Sequence, residues 1–162
     1  MKTVYLSLGS NLGDRLQNLA RAREHLAAAG IGILRASSIY ETGPRDVPGQ
    51  PWFLNQVVEA ESALLPRQLL SRLQKIEREM GRKRIVPKGP RIIDLDIVFF
   101  GESVISVPDL EIPHPRMTER RFVLEPMAEL VPELRHPVLN CSMREMLAKV
   151  ADQPVRRFSG DR

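Results

Sequence analysis

The chain has 162 residues, of which 43% are hydrophobic and 27% charged, so it fits one domain with a single core. Its formal charge of +4 is too small to distinguish a nucleotide enzyme from a nucleic-acid-binding protein. The sequence has no long apolar stretch and no signal-peptide pattern, and its one cysteine, Cys141, excludes an internal disulfide. We therefore expect one cytoplasmic domain over residues 1–162, without membrane contact, in which Cys141 is a buried small hydrophobic residue.

The first third of the chain predicts two strands around one helix. Residues 3–8 (TVYLSL) are β-branched and apolar in short alternation, which indicates a strand. Leucines then recur at helical spacing over residues 14–29, and Gly30 ends the helix. Alternation over residues 31–41 predicts one further strand, and a loop rich in Pro and Gly covers residues 42–51.

The middle third predicts a second unit of the same kind. Residues 52–61 indicate a strand, and Pro66 is well placed at the first position of an amphipathic helix that Gly81 ends. A basic loop over residues 82–91 leads into a strand over residues 94–100. The order β-α-β-β-α-β predicts a ferredoxin-like α+β sheet, with helices on one face and long loops.

The last third is less regular. A turn at residues 101–102 should lead into a short partner strand over residues 103–107, and a short helix should begin near Thr118 and stop at Pro126. The spacing Ser142-x-x-Glu145 is a capping box for a last helix over about residues 143–150. The residues after Ala151 are predicted to be a frayed tail.

A dense cationic loop precedes the strand at residues 94–100. Ten residues hold five positive charges and no acid: Arg82, Lys83, Arg84, Lys88 and Arg91. Such a run is often only a solvated face, but here it adjoins two carboxylates. Cationic side chains beside a dicarboxylate are what a polyphosphate with a bound metal ion requires.

Asp94 and Asp96 are these two carboxylates. Positions i and i+2 of a strand lie on one face, so both side chains point the same way. They repel each other unless a cation lies between them, and hard oxygen ligands suit Mg²⁺. The alternative, in which D-x-D only forms a turn or a cap, stays open from this segment alone.

Other classes of function fit the sequence less well. It has no G-x-x-x-x-G-K-[ST] and no G-x-G-x-x-G, so any phosphates would be bound by side chains. A small basic nucleic-acid-binding module of ferredoxin-like fold is the main alternative, although aromatic residues are only 5% and no RNP-type string occurs. A two-metal phosphodiesterase or nuclease would need more metal ligands than the sequence offers near Asp94 and Asp96.

Three segments carry a resemblance to a known family: SLGSNLGDR at residues 7–15, GPRIIDLDIVFFG at residues 89–101 and IPHPRM at residues 112–117. They resemble the signatures of 6-hydroxymethyl-7,8-dihydropterin pyrophosphokinase, a folate-pathway family, and the similarity weakens only after about Pro132. The resemblance implies a ferredoxin-like fold and a single pyrophosphokinase domain. It also implies transfer of the terminal diphosphate of ATP to the pterin hydroxymethyl group, with release of AMP and the use of two Mg²⁺ ions.

The same resemblance implies roles on the phosphate side. Asp94 and Asp96 match the pair that binds both metal ions, and Asp96 is a hypothetical relay for the hydroxyl proton. Arg82 and Arg91 match arginines that line the phosphate path, and His114 matches a histidine that contacts the ATP phosphates. The catalytic residues implied are therefore Arg82, Arg91, Asp96 and His114.

Further residues are implied for ATP. Strand edges offer N–H and C=O groups, so the backbone at Ile97 is expected to read adenine. Arg84 and Lys88 are expected to tune ATP affinity, and Arg116 to compensate for an aromatic residue that Pro115 replaces. The full ATP-binding set implied is Gln74, Glu77, Arg82, Arg84, Lys88, Arg91, Ile97, His114, Arg116 and Arg120.

The pterin is flat with a donor/acceptor edge, so it needs apolar faces and an amide in its plane. Phe53 and Phe122 match the two rings that sandwich it, and Asn55 matches the amide that reads its edge. Phe53 and Asn55 share a strand face. The pterin-binding residues implied are Gly9, Asn11, Thr42, Gly43, Pro44, Phe53, Asn55 and Phe122.

The chain also departs from the family pattern. Gly43 stands where many relatives have Pro, and residues 85–88 lack the Trp that covers adenosine in some relatives. The only Trp is Trp52, near the second loop, where it could help to seal the pterin. We expect ATP and the pterin as small-molecule partners, a monomer, and no nucleic-acid partner.

Overall fold

A central antiparallel sheet organises the molecule. We describe it from a computed structural model, over residues 1–43, 52–82 and 90–159. The strands in this part of the chain are β1 (Lys2–Ser10), β2 (Gly32–Ala36), β3 (Tyr40–Thr42), β4 (Phe53–Ser62), β5 (Asp94–Phe100), β6 (Ile105–Val107), β7 (Leu110–Ile112) and β8 (Val155–Arg157). Six of them form an antiparallel sheet in the order β5-β1-β4-β3-β8, and β2 also pairs with β4. The two others, β6 and β7, form a separate hairpin.

The helices are α1 (Arg15–Ala28), α2 (Pro66–Glu79), α3 (Arg121–Leu130) and α4 (Met143–Ala148), with a 3₁₀ turn at Met117–Glu119. Local chemistry explains where they begin. The Asp14 carboxylate accepts the N–H of Gln17 at 3.1 Å and so caps α1. The predicted capping box of α4 is confirmed, because Ser142 and Glu145 accept each other's backbone N–H groups at 3.1 and 2.8 Å. No helix among these residues is long and apolar enough to cross a membrane.

Helices cover both faces of the sheet, which corrects the prediction of helices on one face. On one face Leu6 and Leu8 of β1 pack in one cluster with residues of α1 and α2, such as Leu19 and Leu73. On the other face a second cluster contains Val57 and Phe99 together with residues of the last two helices: Val123, Leu124, Met127, Met143 and Met146. The ferredoxin-like core is therefore retained, with α3 and α4 added on its second face.

The prediction of one strand over residues 31–41 is wrong, because β2 ends at Ala36 and β3 begins only at Tyr40. The interruption lies at Ser37. Its hydroxyl oxygen accepts the N–H of Val57 at 3.0 Å, where a continuous strand would offer a backbone carbonyl. The hydrophobic alternation continues through this change, so the pattern alone did not show it.

The predicted frayed tail is also wrong for its described part. Residues Val155–Arg157 form β8 and pair with β3, and the next residue, Phe158, donates its N–H to Ile39 O at 2.8 Å. The Phe158 ring packs against the first hydrophobic cluster. This strand is only three residues long, and its partner lies more than 100 residues earlier in the chain.

Two smaller predictions also fail. The strand expected over residues 103–107 is β6, but it pairs with β7 through a register that places Ile105 opposite Ile112. The helix expected to stop at Pro126 continues to Leu130 with Pro126 inside it. The burial of Leu124 and Met127 on either side offsets the backbone hydrogen bond that proline cannot donate.

Candidate active site

Asp94 and Asp96 lie at the start of β5, at the edge of the main sheet. In the pairing with β1 they stand opposite Gly9 and Ser7, so their side chains share one face as predicted. Burial, together with the charges of Asp94 and Glu77, raises the pKa of Asp96 to about 7. The structure therefore brings an excess of negative charge to this point.

Arg82 joins this acidic group. Its Nη1 donates to Glu77 Oε2 at 2.8 Å and to Asp94 Oδ1 at 2.9 Å, and only 13% of its side chain is exposed. Its Nε is buried and finds no acceptor among the described residues. Arg91 approaches the same aspartate from the other side, with Nη1 3.5 Å from Asp94 Oδ2. Two of the predicted phosphate-binding arginines thus converge on a predicted metal ligand.

Glu77 and Gln74 were predicted together from their shared helix face, but their environments differ. Glu77 is buried, and its Oε2 accepts the N–H of Leu95 at 2.8 Å as well as Arg82. Burial raises the pKa of Glu77, although the Leu95 N–H and Arg82 oppose this shift. Gln74 is exposed on α2. The role of either residue towards ATP remains a prediction.

His114 is fixed by its own backbone and by that of Arg116. The His114 N–H donates to Val98 O at 3.0 Å, and its ring Nδ1 accepts the N–H of Arg116 at 3.1 Å. The ring proton therefore lies on Nε2. Burial, followed by the charge of Arg120, lowers the pKa of His114 to about 4, and Asp94 only partly opposes this shift. A neutral imidazole with an Nε2–H donor suits contact with phosphate oxygens.

Ile97 is buried, and only its backbone could reach a ligand. Its strand, β5, is an edge strand of the main sheet, as adenine readout by backbone groups requires. The neighbouring carbonyl of Val98 already accepts the N–H of His114.

Two predicted phosphate-binding arginines lie beside the predicted pterin rings. Arg116 is exposed, and Arg120 lies with its guanidinium 5.4 Å from the centroid of the Phe122 ring. Arg91 lies 5.9 Å from the ring of Phe53, so both predicted pterin rings have an arginine beside them.

The predicted pterin side is built around Asn55. Asn55 is only 3% exposed, and its Nδ2 has no hydrogen-bond partner among the described residues. It stands opposite Gly9 in the β1–β4 register, and a Cβ atom added at Gly9 would lie 3.2 Å from Asn55 Oδ1 and 3.6 Å from Phe53 Cδ1. The missing side chain at Gly9 thus leaves room beside the Phe53 ring and the Asn55 amide.

Phe122 lies on the same face as these residues. Strand alternation puts Phe53, Asn55 and Val57 on one face, and Val57 packs in the cluster that contains residues of α3. Phe122 is partly buried against that cluster. Both rings are thus on one side of the sheet, as a sandwich requires.

Other predicted pterin residues have structural partners. Asn11 Oδ1 accepts the N–H of Arg91 at 2.7 Å, and Asn11 N–H donates to Arg91 O at 3.0 Å, which ties the end of β1 to the segment that precedes β5. Thr42 lies between β4 and β8, and its hydroxyl donates to Pro154 O at 3.1 Å. Gly43 lies against the Trp52 indole. Pro44, Arg84 and Lys88 lie outside the described residues.

Three charged residues near this side, Arg15, Glu41 and Arg156, were not predicted. Arg15 and Arg156 both donate to the Glu41 carboxylate, beside Trp52. No sequence signal could have paired them, because Glu41 is 26 residues from Arg15 and 115 from Arg156. Only the folded sheet brings them together.

The two carboxylates suit a Mg²⁺ ion that takes its remaining ligands from water and substrate, and not a metal ion whose ligands all come from the protein. Within the described ranges no group of three or more His, Cys, Asp or Glu side chains could hold a metal ion. Magnesium commonly takes one or two protein carboxylates and completes its shell with water and phosphate oxygens. Asp94 and Asp96 match that pattern. The pKa of Asp96 is raised by burial first and by the charges of Asp94 and Glu77 second, and a bound cation would oppose this shift.

Comparisons with known proteins identify the family of this chain. Residues 5–132 match the family described as 7,8-dihydro-6-hydroxymethylpterin-pyrophosphokinase (HPPK). The 2-amino-4-hydroxy-6-hydroxymethyldihydropteridine pyrophosphokinase of Aquifex aeolicus is 39% identical over 145 residues, which are 90% of this chain and 90% of that protein. A folic acid synthesis protein of Pneumocystis carinii is 44% identical over 96% of this chain, but the chain spans only 21% of that longer relative.

A solved structure supports the fold alone. The HPPK-DHPS of Plasmodium falciparum with pteroate superposes with a TM-score of 0.74 at 20% identity, over 91% of this chain and 42% of that one. The family match covers most of the chain, and the Aquifex relative matches over nearly its whole length. The chain therefore belongs to the 7,8-dihydro-6-hydroxymethylpterin-pyrophosphokinase family.

Proposed function

We propose that this chain transfers the β,γ-diphosphate of ATP to the hydroxymethyl group of 6-hydroxymethyl-7,8-dihydropterin and releases AMP, as a step of folate biosynthesis. The observation that carries this proposal is the convergence of Arg82 and Arg91 on Asp94, at the head of the strand that also presents Asp96. Family membership and the curated name of the Aquifex relative give the reaction. The nucleic-acid-binding alternative has no such support.

Asp94 and Asp96 would hold Mg²⁺, and two ions are expected. Bound Mg²⁺ screens the charge of the phosphates and makes the attacking hydroxyl a better nucleophile. The protein contributes the two carboxylates on one strand face and places Glu77 behind them. Glu77 does not act as a third ligand in this proposal, because its Oε2 is already shared by Arg82 and the Leu95 N–H.

The arginines stabilise charge on the diphosphate. Attack at the β-phosphorus increases negative charge on the bridging and non-bridging oxygens, and guanidinium groups stabilise it through paired hydrogen bonds. In this proposal Arg82 exchanges a carboxylate partner for a phosphate oxygen, and Arg91, which lies 3.5 Å from Asp94, turns from that carboxylate towards the phosphates. Neutral His114 donates from Nε2, and Arg120 adds a further cation.

The pterin lies between Phe53 and Phe122, and the unpartnered Nδ2 of Asn55 donates to an acceptor on its edge. Gly9 leaves space for the ring, while Asn11 acts by holding the Arg91 backbone. In this proposal Asp96 is a hypothetical acceptor of the hydroxyl proton. An Asp96→Asn variant that keeps normal turnover would exclude an essential relay.

Product analysis tests the proposal. The protein is mixed with ATP, Mg²⁺ and 6-hydroxymethyl-7,8-dihydropterin, and AMP and ADP are measured separately. We expect AMP that depends on the pterin and is lost in Asp94→Ala. Asp109→Ala is the matched control, because Asp109 is an exposed aspartate whose partner is Arg67 on α2.

Two results would contradict the proposal. Pterin-dependent ADP would mean that the γ-phosphoryl group alone is transferred. Folded wild-type protein that forms neither nucleotide would mean that the chain is not an active pyrophosphokinase.

A further inference from the structure

Four residues outside the proposed site form a closed ring of contacts, which we call the Glu41 cluster: Arg15, Glu41, Trp52 and Arg156. Arg15 Nη1 donates to Glu41 Oε2 at 3.0 Å and to the backbone carbonyl of Trp52 at 2.7 Å. Arg156 Nη2 donates to Glu41 Oε1 at 2.9 Å, and its guanidinium lies 4.6 Å from the centroid of the Trp52 ring. Each member of the cluster therefore contacts two others.

The cluster joins parts of the chain that are distant in sequence. Arg15 is the first residue of α1, Glu41 is the middle residue of β3, and Trp52 immediately precedes β4. Arg156 is the middle residue of β8 and stands directly opposite Glu41 in the β3–β8 register. The side chain of Arg156 thus links β8 to the segment before residues 44–51, through Glu41, and to the segment after them, through Trp52.

The cluster lies behind the proposed pterin side. Side chains on β3 alternate, since Tyr40 donates its hydroxyl to Glu129 of α3 whereas Glu41 contacts Arg15 of α1. Phe53 faces the α3 side, and Trp52, one residue earlier, contacts the arginines of the opposite side. The Glu41 cluster therefore lies on the opposite face of the sheet from Phe53 and is joined to it through the backbone of Trp52.

Several features distinguish this cluster from ordinary surface ion pairs. The shared carboxylate of Glu41 is 13% exposed, whereas both partners of the Arg67–Asp109 pair are 61% exposed. Arg156 itself is 67% exposed, so the buried member of its ion pair is Glu41. Burial raises the pKa of Glu41, but its hydrogen bonds to the two arginines outweigh this effect and leave the pKa below its usual range. The Arg156–Trp52 distance is also the shortest between an arginine and an aromatic ring among the described residues.

We propose that Glu41 and Arg156 are positioning residues that hold Trp52, and with it the Phe53 end of β4, in the arrangement that binds the pterin. This inference rests on the proposed function. It assigns the C-terminal strand a part in pterin affinity, although none of its residues need touch the ligand.

The effect should be selective for one substrate. In the strand order β5-β1-β4-β3-β8, the cluster lies at the edge opposite to β5, which carries Asp94 and Asp96. Loss of the cluster should therefore leave the binding of ATP and Mg²⁺ unchanged. A variant that only destabilised the fold would weaken both substrates together.

The test uses the full chain with Arg156→Ala, Arg156→Lys and Glu41→Gln, and with Arg67→Ala as the control on an exposed ion pair. Trp52 is the only Trp in the sequence, so its emission reports directly on the cluster. Each protein is titrated with 6-hydroxymethyl-7,8-dihydropterin in the presence of Mg²⁺ and a non-hydrolysable ATP analogue. The analogue is titrated separately, and thermal midpoints are recorded.

We expect the pterin Kd to rise roughly 3- to 30-fold in Arg156→Ala and Glu41→Gln, as loss of a cation–π contact or a shared ion pair predicts. Arg156→Lys keeps a cation and should recover part of the affinity, and Arg67→Ala should match the wild type. The Kd of the ATP analogue should stay within about twofold in every variant.

Other outcomes would overturn the inference in distinguishable ways. If the wild type binds the pterin and the Kd is unchanged in Arg156→Ala and Glu41→Gln, the positioning role alone is overturned. A parallel rise in both Kd values would assign the cluster to the fold and not to pterin affinity. Failure of the wild type to bind the pterin would overturn the proposed function together with this inference.

Discussion

The phosphate side and the pterin side of the proposed site differ in how their polar groups are satisfied within the protein. On the phosphate side, Arg82 bridges Glu77 and Asp94, and Arg91 lies close to the same aspartate. On the pterin side, the buried Asn55 amide has a donor without a partner in the described parts of the chain. The phosphate side therefore pairs Arg82 with two carboxylates and leaves its buried Nε without an acceptor among the described residues, whereas the pterin side has an unpaired neutral amide donor.

This difference has energetic consequences for binding. A ligand on the phosphate side must replace ion pairs that already exist, so binding there requires rearrangement of Arg82. An unpaired buried donor costs the protein about 1–3 kcal/mol, and a ligand that accepts from Asn55 recovers that free energy. The pterin side is therefore preorganised, whereas the phosphate side exchanges one set of partners for another.

The largest effect should come from the phosphate side, with Arg91→Ala. We expect kcat to fall ~10²–10⁴-fold, because the guanidinium stabilises charge that develops during diphosphate transfer. The local backbone should persist, since Asn11 contacts the N–H and carbonyl of residue 91 and not its side chain. AMP formation in a single turnover measures the chemical step. Arg78→Ala, on the exposed face of α2, is the control, and a fall of less than tenfold in Arg91→Ala would contradict the role.

A smaller effect is expected at Asn55, where loss of the amide should weaken pterin binding but raise the stability of the protein. Asn55→Leu should weaken pterin binding roughly 10- to 100-fold but stabilise the protein by about 1 kcal/mol, because it removes an unpaired buried donor. Asn18 provides the matched comparison. It is also buried, but its Nδ2 donates to Ser10 Oγ and Leu12 O, so Asn18→Leu should destabilise. Urea unfolding and pterin titration of both variants measure these changes, and loss of stability in Asn55→Leu would contradict the preorganised pterin side.

The smallest effect concerns the pH dependence of stability through His114. Its pKa of about 4 in the folded protein lies below the value of an unfolded histidine, so the unfolded state binds the proton more readily. The stability contribution of neutral His114 is fully present above about pH 6.5 and is lost progressively as the pH falls towards 4. We expect wild type to lose about 1–2 kcal/mol more than His114→Gln between these pH values, after allowance for partial exposure. Urea unfolding at both pH values measures the difference, and equal losses would contradict the lowered pKa.

The parts of the fold that the sequence predicted well depend on local patterns. The strand at residues 94–100 and the capping box at Ser142 and Glu145 were both correct, because alternation and capping involve residues only a few positions apart. The failures depend on partners far along the chain. Ser37 interrupts a strand through Val57, and β8 exists only because β3 offers it an edge.

The candidate site shows the same division. The convergence of Asp94, Asp96 and the basic loop followed from their nearness in sequence and from strand alternation. The bridge from Arg82 to Glu77 and the unpaired amide of Asn55 did not, because both depend on side-chain packing between elements. Family resemblance named these residues, but only the folded chain shows which partners they have.

Gly9 limits which substitutions the protein could accept without losing its substrate. A methyl group at this position would come within 3.2 Å of the Asn55 oxygen and 3.6 Å of the Phe53 ring. In the proposed site, this methyl group would occupy the space beside the Asn55 amide that the flat pterin would approach. Alanine at this position would therefore compete with the pterin of the proposed site for the same space in every molecule of the protein.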